Sequence, residues 1–138
     1  VYGVVPEFLR ELELTHDSLT GLKVVDGMHE RKQLMLEGSD AVVALPGGCG
    51  TFEELFEALT FKRLGHWVGP IILVNTRGFY DHLITFLKHS IDECFMGNKH
   101  REMWSVVEQP EGVLTAINTA PAWSSDALQF ANVTPANA

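Results

Sequence analysis

Apolar and polar positions along the chain change period several times. Residues 2–5 form a short apolar run that Pro6 stops. Residues 7–21 mix polar and apolar positions and predict a loop or a short helix. Residues 22–25, with two valines, predict a strand. Residues 28–37 predict a helix. Residues 41–45 are continuously apolar, as expected for a strand covered on both faces. A glycine-rich turn follows at 46–50, then a helix over 51–64. In that helix Phe52, Leu55, Phe56 and Leu59 recur at three- and four-residue spacing. Lys62 and Arg63 suit its negative C-terminal end, and Gly65 suits its C-cap. Ile71–Val74 predicts another buried strand. Residues 79–90 predict a helix with Leu83, Ile84, Phe86, Leu87 and Ile91 inward, and Gly97 ends that unit. Trp104–Val107 predicts a last strand, and 111–118 a last helix behind Pro110.

This alternation implies an α/β fold, a parallel sheet with helices on both faces. With 138 residues, 46% of them apolar, the chain suits one globular domain with a real core. The expected division is a domain over 1–120 and a mobile tail over 121–138, where Ala, Ser, Asn and Pro take over. The chain starts at Val1 without Met, in what reads as a strand in progress. The expectation is therefore that this is the C-terminal portion of its domain, with residues before Val1 missing.

Charge and cysteine content narrow the chemistry. Eighteen acidic and ten basic residues give a net charge of −8. That argues against a nucleic-acid platform, which needs a dense positive field. It leaves room for a small phosphorylated ligand, because one or two local cations and a helix N-terminus suffice to hold a phosphate. Apolar runs are too short to span a bilayer, and no secretory signal is visible, so no membrane partner is expected. Cys49 and Cys94 form neither a metal motif nor a disulfide framework and fit a reducing cytoplasm. No metal and no cofactor are expected.

The most informative stretch is Leu45-Pro46-Gly47-Gly48-Cys49-Gly50-Thr51-Phe52-Glu53-Glu54. A buried strand ends, three glycines turn the chain, and a helix is expected to begin at Thr51. Ligands of parallel sheets bind at the carboxyl ends of the strands. Glycines let backbone N–H groups approach a phosphate, which the helix dipole then favours. Thr51 can cap the helix or donate its hydroxyl to a phosphate oxygen. The plainer alternative is a tight turn with Thr51 as N-cap and Glu54 closing a capping box. The stretch is neither the dinucleotide fingerprint Gly-x-Gly-x-x-Gly nor a P-loop. Glu54 and Glu57 share a helix face, whereas Glu53 reads as a solubility residue. An ionised carboxylate there can stabilise a positively charged sugar or orient a water.

Upstream, Asp26-Gly27-Met28-His29-Glu30-Arg31-Lys32 opens a helix. Arg31 shares a face with Met28 and Met35. A guanidinium over the sheet edge grips phosphate in a fork, and Lys32 adds a second charge. From spacing alone an exposed Arg-Lys pair explains the same residues. His29 has no second histidine at ligand spacing.

Together, Met28-His29-Glu30-Arg31-Lys32 and Ala44 through Glu54 resemble the LOG (Lonely Guy) family of cytokinin riboside 5′-monophosphate phosphoribohydrolases, also labelled lysine decarboxylase-like. The likeness runs through Leu64-Gly65, Asn75 and Gly78-Phe79-Tyr80-Asp81, and covers about residues 1–118. It implies a Rossmann-like fold, a homodimer, and hydrolysis of a cytokinin-type or plain purine nucleoside 5′-monophosphate to free base and ribose 5-phosphate. Residue by residue, it implies Arg31 and Glu54 as the catalytic pair and Gly47, Gly48, Gly50 and Thr51 as the phosphate loop. Met28 and Lys32 join them on the substrate side. The family's N-terminal βαβ region, with its own glycine-rich loop, is not in this sequence. Nothing in the residue context argues for a pyridoxal phosphate lysine. Two other classes fit the same residues: a non-catalytic nucleotide carrier, and a hydrolase using Cys49, which stands near the expected helix N-terminus.

Overall fold

A computed structural model describes residues 1–10 and 18–131. The fold is α/β with parallel sheets. The chain forms two compact units, Val1–Ser39 and Asp40–Ala138.

In the first unit, β1 (Tyr2–Pro6) pairs in parallel with β2 (Gly21–Val25). Among its described residues Val5, Pro6 and Val25 are the buried positions. Part of the 7–21 segment, residues 11–17, lies outside the described residues; Glu7–Leu9 is a short 3-10 turn. Helix α1 (Met28–Leu36) follows β2 with Gly27 as its N-cap. Glu30, in the first turn, reaches back to accept the Asp26 backbone N–H at 3.1 Å. That bond ties the residue before the N-cap to the first turn; the helix has no side-chain cap, which glycine cannot supply.

In the second unit, β3 (Val42–Ala44), β4 (Ile71–Val74) and β5 (Trp104–Val107) form a parallel sheet in the order β3-β4-β5. Every residue of the central strand β4 is buried. Complete burial explains its unbroken apolar run, since alternation appears only where one face meets water. Each such side chain contributes on the order of 1.5–3 kcal/mol of burial free energy.

Helix α2 runs over Cys49–Leu64, starting two residues earlier than the expected 51–64. Its inward positions are Leu55, Ala58, Leu59 and Lys62. Phe56, expected on that face, is 40% exposed. The buried stripe runs along Ala58 and Lys62, which a hydrophobicity pattern undervalues. The helix ends where predicted, at Gly65 in the left-handed conformation (φ 76°). A Cβ there would also meet the Ser125 carbonyl oxygen at 2.1 Å, so glycine serves both the turn and a close chain approach.

Helix α3 (Asp81–Asp92) buries Leu87 and Ile91 as expected, but Phe86 is 59% exposed. Phe86 lies about 100° around the helix from Leu87, off the buried face. Helix α4 (Val113–Thr119) closes the sheet unit behind a 3-10 turn at Pro110–Gly112.

Of the segment after Pro121, residues 121–131 are described and residues 132–138 are not. Trp123 and Ala127 are buried, and Leu128–Ala131 forms a short helix, α5. The Trp123 indole N–H donates to the Lys62 carbonyl at 2.6 Å. This aromatic anchor supplies an apolar contact within a segment of mostly polar composition.

Candidate functional site

The glycine loop joins β3 to α2 at the carboxyl edge of the second unit's sheet. Gly48 is the N-cap of α2. Phe52 N–H donates to the Gly48 carbonyl at 3.1 Å, the opening bond of the helix. The N–H groups of Cys49, Gly50 and Thr51 come before it, so helix geometry gives them no intrahelical acceptor. No acidic residue occupies the first turn of α2. The positive end of its dipole is therefore not neutralised by the helix's own side chains.

The glycines differ in what they permit. A Cβ on Gly47 would lie 2.2 Å from Thr51 Oγ1, so the absence of a side chain lets the Thr51 hydroxyl fold over the loop. At Gly48 and Gly50 a Cβ would meet nothing within 4 Å. Internal packing therefore does not require glycine at those two positions. A glycine there leaves the neighbouring backbone N–H groups open to approach.

The earlier helix start removes the capping-box alternative. With Gly48 as N-cap, Thr51 is the third helical residue and Glu54 lies six residues past the cap. A capping-box glutamate must stand three residues past it. Glu54 and Glu57 are half-buried on one side of α2, and Glu53 is exposed. Met28, Arg31 and Lys32 lie in the first two turns of α1, in the first unit, and all three are half-buried. The Arg31 backbone N–H donates to Gly27 at 3.1 Å, which places its side chain one turn into the helix.

Sequence reasoning overlooked the surroundings of the loop. Phe52, in α2, stacks on Phe79 with ring centroids 6.4 Å apart and planes at 12°. Phe79 meets Tyr80 edge-on at 5.0 Å. Tyr80 and Asn75 are buried at the ends of β4 and α3. Asn75 directly after four apolar strand residues was the available signal, because a polar residue there stands at the carboxyl edge. Trp104 is buried within β5. Among the described residues no group of three or more His, Cys, Asp or Glu side chains is arranged to hold a metal ion. No described helix is long and apolar enough to cross a membrane.

Residues 1–117 match the family described as possible lysine decarboxylase. A cytokinin riboside 5′-monophosphate phosphoribohydrolase of Arabidopsis thaliana is 43% identical over 103 residues, covering 75% of this chain and 48% of that protein. Its counterpart in Rhodococcoides fascians is 42% identical over 120 residues, covering 86% of this chain and 61% of the relative. One from Oryza sativa subsp. japonica is 41% identical over 103 residues, 75% of this chain and 43% of the relative. The chain thus spans about half the length of the curated relatives it matches.

Proposed function

The chain belongs to the LOG family, whose family description is possible lysine decarboxylase, and from that membership we propose that it serves a nucleoside 5′-monophosphate phosphoribohydrolase. The substrate is a purine nucleoside monophosphate, cytokinin-type or plain. The products are free base and ribose 5-phosphate. The observation that supports this reading best is the start of α2: three N–H groups without intrahelical acceptors beside glycines that packing does not require.

In this reading the 5′-phosphate seats on Gly47, Gly48, Gly50 and Thr51. The C1′–N9 bond breaks with its electron pair moving to the base, and positive charge develops on the ribose. Glu54, ionised, stabilises that charge and orients the water that attacks C1′. The water loses a proton as the departing base gains one. Arg31 positions the substrate and assists that proton movement, with Lys32 and Met28 beside it on α1. The phosphate anchor aligns the sugar. The reading includes a homodimer and a cytoplasmic location.

The test is base release from AMP and from N6-isopentenyl-AMP. We expect Glu54→Gln and Arg31→Ala each to slow release by roughly 100-fold or more. Undiminished hydrolysis by Glu54→Gln removes that carboxylate from the mechanism. AMP recovered intact after long incubation with the unchanged protein favours a carrier.

A further inference from the structure

Two buried residues that the proposed chemistry leaves unused, Asn75 and Tyr80, tie together the carboxyl ends of all three strands in the second unit's sheet. Asn75 follows β4 directly and is 4% exposed. Its backbone N–H donates to the carbonyl of Val107, the last residue of β5, at 2.7 Å. Its Oδ1 accepts the Tyr80 backbone N–H at 2.7 Å, and its Nδ2 donates to Asp81 Oδ1 at 2.8 Å. Both polar atoms of the amide thereby fix the start of α3. Gly78 lets the intervening turn close: its φ is 73°, and a Cβ there would meet Asp81 Oδ2 at 2.6 Å.

Tyr80, the N-cap residue of α3, is 0% exposed. Its phenol donates to the Leu45 carbonyl at 2.6 Å. Leu45 stands just past the last paired residue of β3, Ala44, and Pro46 after it has no N–H to donate. The Tyr80 hydroxyl therefore holds the chain where sheet pairing has stopped, two residues before Gly47. Withdrawing it would leave a buried donor without its acceptor, which favours keeping the bond. Burial also raises the phenol's pKa above its ordinary 10, so the proton it donates stays in place at neutral pH.

We infer that Tyr80, seated by Asn75, is a positioning residue that presets the glycine loop for the 5′-phosphate, an inference that rests on the nucleotide reading above. It acts through the Leu45 carbonyl. A glycine-rich loop left unheld loses backbone freedom when it closes on an anion, and that cost weakens binding. The expected signature is selective: a ligand with the phosphate suffers, and one without it does not.

The experiment compares AMP and adenosine affinities by calorimetry, in the full-length protein carrying Glu54→Gln so that AMP is not consumed, with and without Tyr80→Phe. We expect Tyr80→Phe to weaken AMP by about 3- to 10-fold while adenosine affinity stays the same. Unchanged AMP affinity overturns the inference, and so does an equal loss for both ligands. AMP bound no better than adenosine before Tyr80 is changed overturns it as well. Should Tyr80→Phe fail to fold, Asn75→Asp is read the same way, since it keeps the acceptor for Tyr80 N–H and loses the donor to Asp81. Base release by the unchanged protein is measured separately. If AMP binds but is not cleaved, the hydrolase reading fails, and the affinity comparison still decides the role of Tyr80.

Discussion

Gly47 and Gly48 are neighbours with opposite constraints, and that contrast yields a prediction about single residues. Gly47→Ala would drive a methyl group into Thr51 Oγ1 at 2.2 Å, so the loop or the start of α2 must move. We expect a loss of about 1–3 kcal/mol in stability, as for other overpacked sites, together with weakened AMP binding. Gly48→Ala meets open space, and the Gly48 φ of −96° suits any residue. Its stability should stay within about 0.5 kcal/mol of the parent, while KM for the nucleotide rises because the methyl occupies ligand space. Urea unfolding and steady-state kinetics on both variants check this pair. Equal destabilisation by the two would mean that packing alone explains the glycines. The loop itself was legible in the sequence, because strand, glycines and helix follow in order. The two-residue error in the helix start was not trivial: it turned Glu54 from a capping-box partner into a residue of the second turn. Cys49 and Gly50 are poor helix formers, so propensity placed the boundary too late.

At the scale of elements, α2 is held at its C-terminal end by contacts that its own sequence does not announce. Lys62 is 1% exposed; its ammonium donates to the Gly69 carbonyl at 2.8 Å and lies 5.7 Å from the Trp123 ring centroid. Hydropathy assigned Lys62 to the helix dipole, yet the residue is also part of the buried face. Burial lowers its pKa from 10.5 to about 8. Between those values the folded chain binds fewer protons than the unfolded chain, so stability should rise as pH increases across that window. Lys62→Met should remove this part of the slope. Denaturant unfolding at several pH values between 7.5 and 10.5 measures it, and identical slopes in the two proteins would contradict the assignment. Trp123 connects the end of the described chain to α2, through its bond to the Lys62 carbonyl. Trp123→Ala should cost about 3–5 kcal/mol, the range for emptying a buried aromatic site. Thermal unfolding reads that loss, and a change under about 0.5 kcal/mol would show the contact to be incidental.

At the scale of the whole molecule, the order of strands and helices was legible because each element writes its own period into the chain. Strand pairing was not, since nothing in a local apolar run states which strand it joins. The expected single sheet accordingly appears as a β1-β2 pair and a β3-β4-β5 sheet, in units that divide after Ser39. The proposed reactive residues fall on either side of that division, Arg31 in one unit and Glu54 in the other. The proposed mechanism joins them, and the chain spans about half the length of its curated relatives.

The phosphate seat is therefore best tested without relying on turnover. Amide resonances of the protein are followed while ribose 5-phosphate is titrated in, with ribose as the control. Phosphate-dependent shifts are expected at Gly48, Cys49, Gly50 and Thr51, whose N–H groups lie at the start of α2. Shifts confined to other residues, or matched by ribose, would contradict a phosphate seat on this loop.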